Sequence, residues 1–377
     1  MSHGKALRRA LLLAALATLA VAPAASARVN WGFMGVHWSH EPASASQAAQ
    51  DVQWDVMASS GVEAVRADFS WPAMQRGRGE PIDFSGTDAL VKRAAIRNID
   101  LLPVITAAPA WARAYPRRDK SPPKNPADYA IFLAALVDRY GPSGSFWADD
   151  PTVPRRPLRE WQIWNEPHLT SYWDTPAKSR WAYPRGYGRL LDKAWTAIKV
   201  RDPGAKVVLA GITQRAWEEI EELYRVGRIK GSFDVAALQI FPLTVHRAVV
   251  ATRLFRQALR KRRDGRKPIY LTEISWPASK GRTPKVRYLA HETDGSMAAK
   301  LETAYAELAR QRRSLGLRRV FWFTWATRYG RGGSVFNYPG LQQYRGGDFT
   351  AKKALGAYQR AARRLQGCTK DDTGVCR

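Results

Sequence analysis

Eight short apolar, β-branched runs with amphipathic stretches between them predict an α/β chain closed into a single (β/α)8 TIM barrel. An open, doubly wound sheet uses the same alternation, and two observations favour the barrel over it. No Gly-x-Gly-x-x-Gly turn follows the first run, and two glutamates 107 residues apart, Glu166 and Glu273, end the fourth and seventh runs. In a barrel all strand C-termini open onto one face, so two carboxylates placed there converge.

The strands are expected at residues 31–37, 62–69, 99–106, 160–165, 206–212, 235–241, 269–273 and 319–325. Helical periodicity is clearest at 128–140, where Ile131, Phe132, Ala135 and Leu136 are apolar, and at 187–199, through Leu190, Leu191, Ala194 and Ile198. Asp202-Pro203-Gly204 stops the second of these, and Ser60-Gly61 marks the stop before the second strand. The Pro-, Gly- and Arg-rich insert 140–159 precedes the fourth strand and belongs on the face opposite the strand C-termini. No internal repeat or second domain is visible, so residues 28–366 read as one catalytic domain.

Residues 1–27 carry Lys5, Arg8 and Arg9, then an apolar run from Ala10 to Ala22 too short to span a bilayer, then Ala25-Ser26-Ala27. This is the pattern of a cleaved secretory signal peptide, and no later stretch is a transmembrane segment. The expected location is secreted or extracellular. Cys368 and Cys376, the only cysteines, are expected to close a local disulfide in the tail 367–377, a loop short enough to stabilise little. Two cysteines without adjacent histidines are too few for a metal site, and no metal or cofactor is expected.

The formal charge is +27, and +24 after loss of the three cations in residues 1–27. The densest cluster, 253–267, reads as a solvated helix face and following loop, or as an attachment to anionic cell-wall polymers or an acidic polysaccharide. No nucleic-acid module is recognisable.

A strand ending on a carboxylate incurs a desolvation cost unless that charge has a role. Paired carboxylates across a cleft are what glycoside hydrolysis uses, one protonating the leaving oxygen and the other attacking or activating water. Arg66 near the end of strand 2, Trp164-Asn165-Glu166-Pro167 at strand 4, Glu273 at strand 7 and Trp325 at strand 8 together resemble the clan A glycoside hydrolases. The similarity is greatest to the family 39 and family 5 branches, and it runs from about Trp31 to Tyr358. The resemblance implies that Glu166 is the general acid/base and Glu273 the nucleophile, with the two carboxylates roughly 5 to 5.5 Å apart, as retention requires. Arg66 would pair with Glu273, Asn165 would bind the sugar's 2-hydroxyl, and Trp161 or Trp164 would give Glu166 its apolar surround.

Strand 6 departs from the pattern. Gln239-Ile240-Phe241-Pro242-Leu243 stands where relatives read His-Pro-Tyr, and Tyr329 or Tyr338 is the expected replacement for the missing tyrosine. Tyr270, three residues from Glu273, should face the other way. Asp68 reads as a cap of the next segment. His37 and His168 lie at strand ends on the active face and are candidate substrate contacts. Among the 15 tryptophans, Trp276 and Trp325 are the candidate sugar platforms. A Gly-x-Ser-x-Gly elbow, a His-Glu-x-x-His helix and a phosphate-cradling loop are all absent, and 218–222 reads as an acidic helix face. The expected function is a secreted retaining glycosidase cleaving β-linked poly- or oligosaccharides. The alternative is a catalytically decayed carbohydrate-binding protein held at an anionic surface.

Overall fold

The computed structural model describes residues 28–176, 182–213, 215–330 and 333–366. The expected signal peptide and the Cys368–Cys376 pair lie outside the described residues. All eight expected strands form: β1 Met34–Trp38, β2 Ala64–Ser70, β3 Asp100–Thr106, β4 Glu160–Ile163, β5 Lys206–Val208, β6 Ala236–Ile240, β7 Ile269–Ile274 and β8 Leu317–Trp322. They are parallel, in the order β5-β4-β3-β2-β1-β8-β7-β6. Isolated bridges Val208↔Val235 and Ile212↔Leu238 join the two ends, which closes the (β/α)8 barrel. Strands β4, β5 and β8 stop earlier than their apolar runs do; past β4 and β5 the pairing continues only as the isolated bridges Asn165↔Gly211 and Ile212↔Leu238.

Each strand is followed by a helix, among them Gln47–Ser59, Pro126–Tyr140, Ala182–Arg201, Val245–Lys261 and Asp294–Leu315. Local chemistry sets their ends. Asn125 caps Pro126–Tyr140 by accepting from Ala127 N at 3.0 Å, with proline in the first turn. Thr293 and Ser296 form a reciprocal capping box, and Gly316 ends that helix in the left-handed region at φ 64°. The insert 140–159 holds a short helix, Phe146–Asp149, and Arg156 reaches Asn98 and Asp100 at the entry to β3, on the N-terminal face. After β8, a small sheet of Ala326–Thr327, Gln342–Arg345 and Asp348–Ala351 precedes the last helix. No helix among the described residues is long and apolar enough to cross a membrane.

The basic cluster 253–267 is not one uniform solvated face. Arg256 is 2% exposed and donates to the carbonyls of Leu315 and Gly265 at 2.7 and 2.8 Å. It ties the helix after β6 to the end of the helix after β7, and burial lowers its pKa to about 10.

The barrel interior is layered. At the bottom, Arg319 pairs with Asp100 at 2.9 Å and Glu160 at 3.1 Å, and Tyr270 donates to Glu160 at 2.8 Å. Burial pushes the Asp100 carboxyl up, but Arg319 and Arg156 outweigh it and hold it below its usual range. Above lies an apolar layer of Ala64, Leu102, Val208, Val235, Ala237 and Phe321. Gly35 leaves room for it, since a Cβ there would meet the Phe321 ring at 2.6 Å. The top layer is polar and carries the site.

Tyr270 and Glu273 both point into the barrel, contrary to strict alternation. The register slips between Leu271 and Ile274 against β8, and between Leu238 and Gln239 against β6, so one residue is absorbed on the way up β7.

Arg319→Ala should lower stability by about 3 kcal/mol in a urea titration, because it strips buried carboxylates of a shared cation. Arg319→Met should cost about as much, which separates lost charge from lost volume.

Candidate active site

Arg66, on the inward face of β2 and 1% exposed, organises the strand ends. Its Nη1 donates to Glu273 Oε1 at 2.7 Å, its Nη2 to Asn165 Oδ1 at 2.8 Å and its Nε to Gln162 Oε1 at 2.8 Å. Gln239 Nε2 donates to the same Asn165 and Glu273 oxygens, at 2.8 and 2.9 Å. Four strands thus meet at one buried guanidinium. Gly211 makes this possible, because a Cβ there would lie 2.4 Å from the Gln239 side chain.

The end of β4 is a sharp turn. Trp164 and Glu166 take left-handed backbone angles, φ 69° and 39°, which non-glycine residues adopt at a cost. The turn is held by Trp164 N to Ile105 O at 3.0 Å and Glu166 N to Gly211 O at 3.2 Å. It aims Glu166, 7% exposed, into the same space as Glu273. Trp164 lines that space and Trp161 does not.

The two carboxyls differ in their partners. Burial pushes Glu166 well above the usual carboxylate range, and the charge of Glu273 pushes it further, against a weaker pull from Arg66. Burial also raises Glu273, but Arg66 opposes this through direct contact. Of this pair, Glu273 has a cation and a side-chain amide on its carboxylate, which favours its ionised form, and Glu166 is the one that burial and the neighbouring charge hold protonated. Both donors to Glu273, a residue that lines the cavity, use Oε1.

An open cavity of about 2150 Å³ covers these strand ends. His37 lines it, 6% exposed, stacked on Phe323 with centroids 5.3 Å apart. The other candidates fall elsewhere. Trp325 is fully buried, with Nε1 donating to Gln53 at 3.0 Å, because β8 ends at Trp322 and the chain turns back toward the helix Gln47–Ser59. Trp276 is also fully buried and packs on Trp322. Neither ring faces the cavity as a platform. His168 is half-buried near Tyr183 and does not line the cavity, and burial lowers its pKa to about 4.

Tyr329 and Tyr338 do not replace the missing strand-6 tyrosine. Tyr329 bonds Arg282 and Asp294, and Tyr338 donates to Gly330 O. Gln239 occupies that role on Glu273. Asp68 caps nothing; it lines the cavity two residues beyond Arg66 on the same face of β2. The aromatic wall of the cavity is Phe241, Phe323 and Phe336, with ring centroids 5.0 to 6.3 Å apart. Period-two counting from Arg66 would have found Asp68. Gln162 and Gln239 carried no sequence signal beyond polarity inside apolar runs. Among the described residues, no cluster of His, Cys, Asp and Glu is placed to hold a metal ion.

Several solved structures share this architecture. A family 39 glycoside hydrolase from Bacteroides cellulosilyticus aligns over 91% of the chain with a TM-score of 0.64 and 18% identity, and the chain spans 65% of that protein's length. A GH5_18 protein from Streptomyces cattleya, solved with Manβ1-4GlcNAc, aligns over 90% of the chain and 82% of its own, with a TM-score of 0.65 and 19% identity. A family 1 β-glucosidase from Thermotoga maritima aligns over 90% and 99%, with a TM-score of 0.62 and 11% identity. At these identities the likeness shows the fold. No protein-family model matches the chain, and no curated protein matches it in sequence.

Gln239→Leu removes a hydrogen bond to the charged form of Glu273 and should raise the midpoint of that carboxyl by about one pH unit. A 13C NMR titration of labelled glutamate checks it.

Proposed function

We propose that this chain is a retaining β-glycosidase of the clan A type, with Glu273 as nucleophile and Glu166 as general acid/base. The observation that carries the reading is the asymmetry between two glutamates sharing one cavity. One bears the Arg66 ion pair, and the other is buried without a cation of its own. The structural likeness to family 39, 5 and 1 proteins supports the same chemistry.

In this mechanism Glu166 protonates the glycosidic oxygen as Oε2 of Glu273 attacks the anomeric carbon, and a glycosyl ester forms. Loss of the proton turns Glu166 into the base that activates water, which then opens the ester with a second inversion. Asn165 presents its amide donors to the sugar, because its carbonyl oxygen is already taken by Arg66 and Gln239. Developing charge on the sugar ring is met by the carboxylates beneath it. Activity requires Glu166 protonated and Glu273 ionised, so it falls on the alkaline side as Glu166 loses its proton and on the acid side as Glu273 gains one.

The chain is proposed to act outside the cell after cleavage behind Ala27, with its +24 charge holding it near anionic wall polymers. Intact mass spectrometry of protein from the culture medium should show the shortened chain and a Cys368–Cys376 disulfide. A full-length mass or two alkylatable thiols removes that part of the reading.

Glu273→Ala should reduce turnover of aryl β-glycosides by about a thousandfold or more, with azide restoring it as the inverted adduct. Glu166→Ala should keep cleaving substrates whose leaving group needs no proton, and azide should then release the retained adduct. Wild-type product should retain its anomeric configuration by NMR. Inverted product replaces double displacement with single displacement, and full activity in both variants removes the hydrolase reading.

A further inference from the structure

The end of the barrel opposite the cavity collects positive charge that no carboxylate answers. The strands are parallel, so the starts of β6, β7 and β8 share one face, and the chain enters them through 228–235, 262–268 and 316. These entries are stitched together. Lys230 Nζ donates to Arg262 O at 2.9 Å, Arg256 reaches Gly265 O and Leu315 O, and Ile269 N donates to Gly316 O at 2.8 Å. Arg260, Lys261, Arg263, Arg266, Arg313 and Arg318 are exposed on or beside them, and among the described residues no side-chain hydrogen bond or ion pair engages any of these cations. The acids nearby are taken: Glu221 pairs with Arg262, Glu307 pairs with Arg310 at 2.6 Å, and Asp264 accepts from Tyr224 at 2.6 Å.

Helix ends explain only part of this. Cations in a last turn are favoured by the helix dipole, which accounts for Arg260, Lys261 and Arg313. Arg263, Arg266 and Arg318 lie beyond the helices. Arg263 and the exposed Arg228 moreover hold left-handed backbone angles, φ 61° and 56°, just past helical turns, where glycine is the usual residue. An arginine at such a position is strained, and its charge joins a field that already opposes itself. Arg260 shows that opposition, since its charge adds to burial in lowering the pKa of Arg256. Backbone strain and like-charge repulsion both work against folding, and a bound polyanion relieves the second.

We propose that this surface binds a linear phosphodiester polymer and holds the protein with its cavity turned away from that polymer. A phosphodiester carries one permanent charge on two free oxygens, and a guanidinium meets such a pair with two parallel N–H groups. All but one of the six exposed cations are arginines. Cations spread over three chain entries suit a repeating charge better than a single anion. The polymer is a polyol phosphate rather than a nucleic acid, because the three entries expose no aromatic side chain on which bases could stack. Glu166 and Glu273 lie at the opposite ends of the strands, so polymer and glycoside do not compete. The inference rests on the export part of the reading above for where the polymer is met, and it is independent of hydrolysis.

Fluorescence anisotropy with labelled poly(glycerol phosphate), over a range of salt concentrations, is the test. The purified wild type should bind, with affinity falling steeply as salt rises. Arg260→Gln, Lys261→Gln, Arg266→Gln and Arg318→Gln combined should weaken binding about tenfold or more and flatten the salt dependence. A control carrying Arg117→Gln, Lys124→Gln, Arg189→Gln and Lys193→Gln loses the same charge from exposed sites elsewhere. It should weaken binding by less than about threefold. Arg228→Gly with Arg263→Gly should weaken binding about threefold or more with an unchanged or higher melting temperature, so that lost affinity is not lost fold. Glu273→Ala should bind as the wild type does. Equal loss in the two fourfold variants reduces the effect to net charge and overturns the proposal. So does no binding by wild type, inhibition of aryl glycoside turnover by the polymer, or tighter binding to duplex DNA or anionic vesicles at equal charge. If the polymer binds at this surface and no glycoside is hydrolysed, the hydrolase reading fails and the surface stands.

Discussion

The active face depends on one buried guanidinium. Arg66 holds side chains from β4, its terminal turn and β7, and Gln239 of β6 completes the ring by bonding two of the groups that Arg66 bonds. A cation buried to this degree is tolerated only with a full set of acceptors. The constraint works in both directions: Glu273 gives Arg66 a charged partner in the protein interior, and Arg66 favours the ionised form of Glu273. It also orients Asn165, because an amide whose oxygen accepts two donors must turn its nitrogen toward the cavity.

The same logic appears at the other end of the barrel with a different purpose. Arg319 with Asp100 and Glu160 seals the bottom by satisfying its charges internally, with Tyr270 as a further donor. The apolar layer around Phe321 separates the two networks. That separation allows the upper one to be left incomplete: the bottom charges have partners, whereas the upper layer leaves both ring nitrogens of His37 unpaired. Unpaired groups at the active face are where the chain departs from complete internal satisfaction, and departures of this kind concentrate at functional sites.

Much of this was legible from residue order alone. Apolar runs ending in carboxylates located the strands, their polarity and the site, because a strand's direction in a barrel follows from the helix that returns the chain. The Arg66–Glu273 pairing was also foreseeable, since two opposite charges at strand ends of one barrel face have few other partners. The platform assignments went astray for a specific reason. Trp325 and Trp276 lie beyond the last paired residue of their strands, where the chain has already turned, so an alternation carried past Trp322 or Ile274 no longer indicates direction.

By itself the sequence determined the eight-fold alternation, the two glutamates and the cation between them, because these follow from hydrophobic pattern and the cost of burying charge. Only the tertiary structure decided that Gln239 bonds Glu273, that Tyr270 shares its face, and that Phe323 lines the cavity while Trp325 does not. Each of these turns on a one-residue register slip or on a turn just past a strand's end. Such shifts arise from packing between strands distant in sequence, and local pattern carries no record of them.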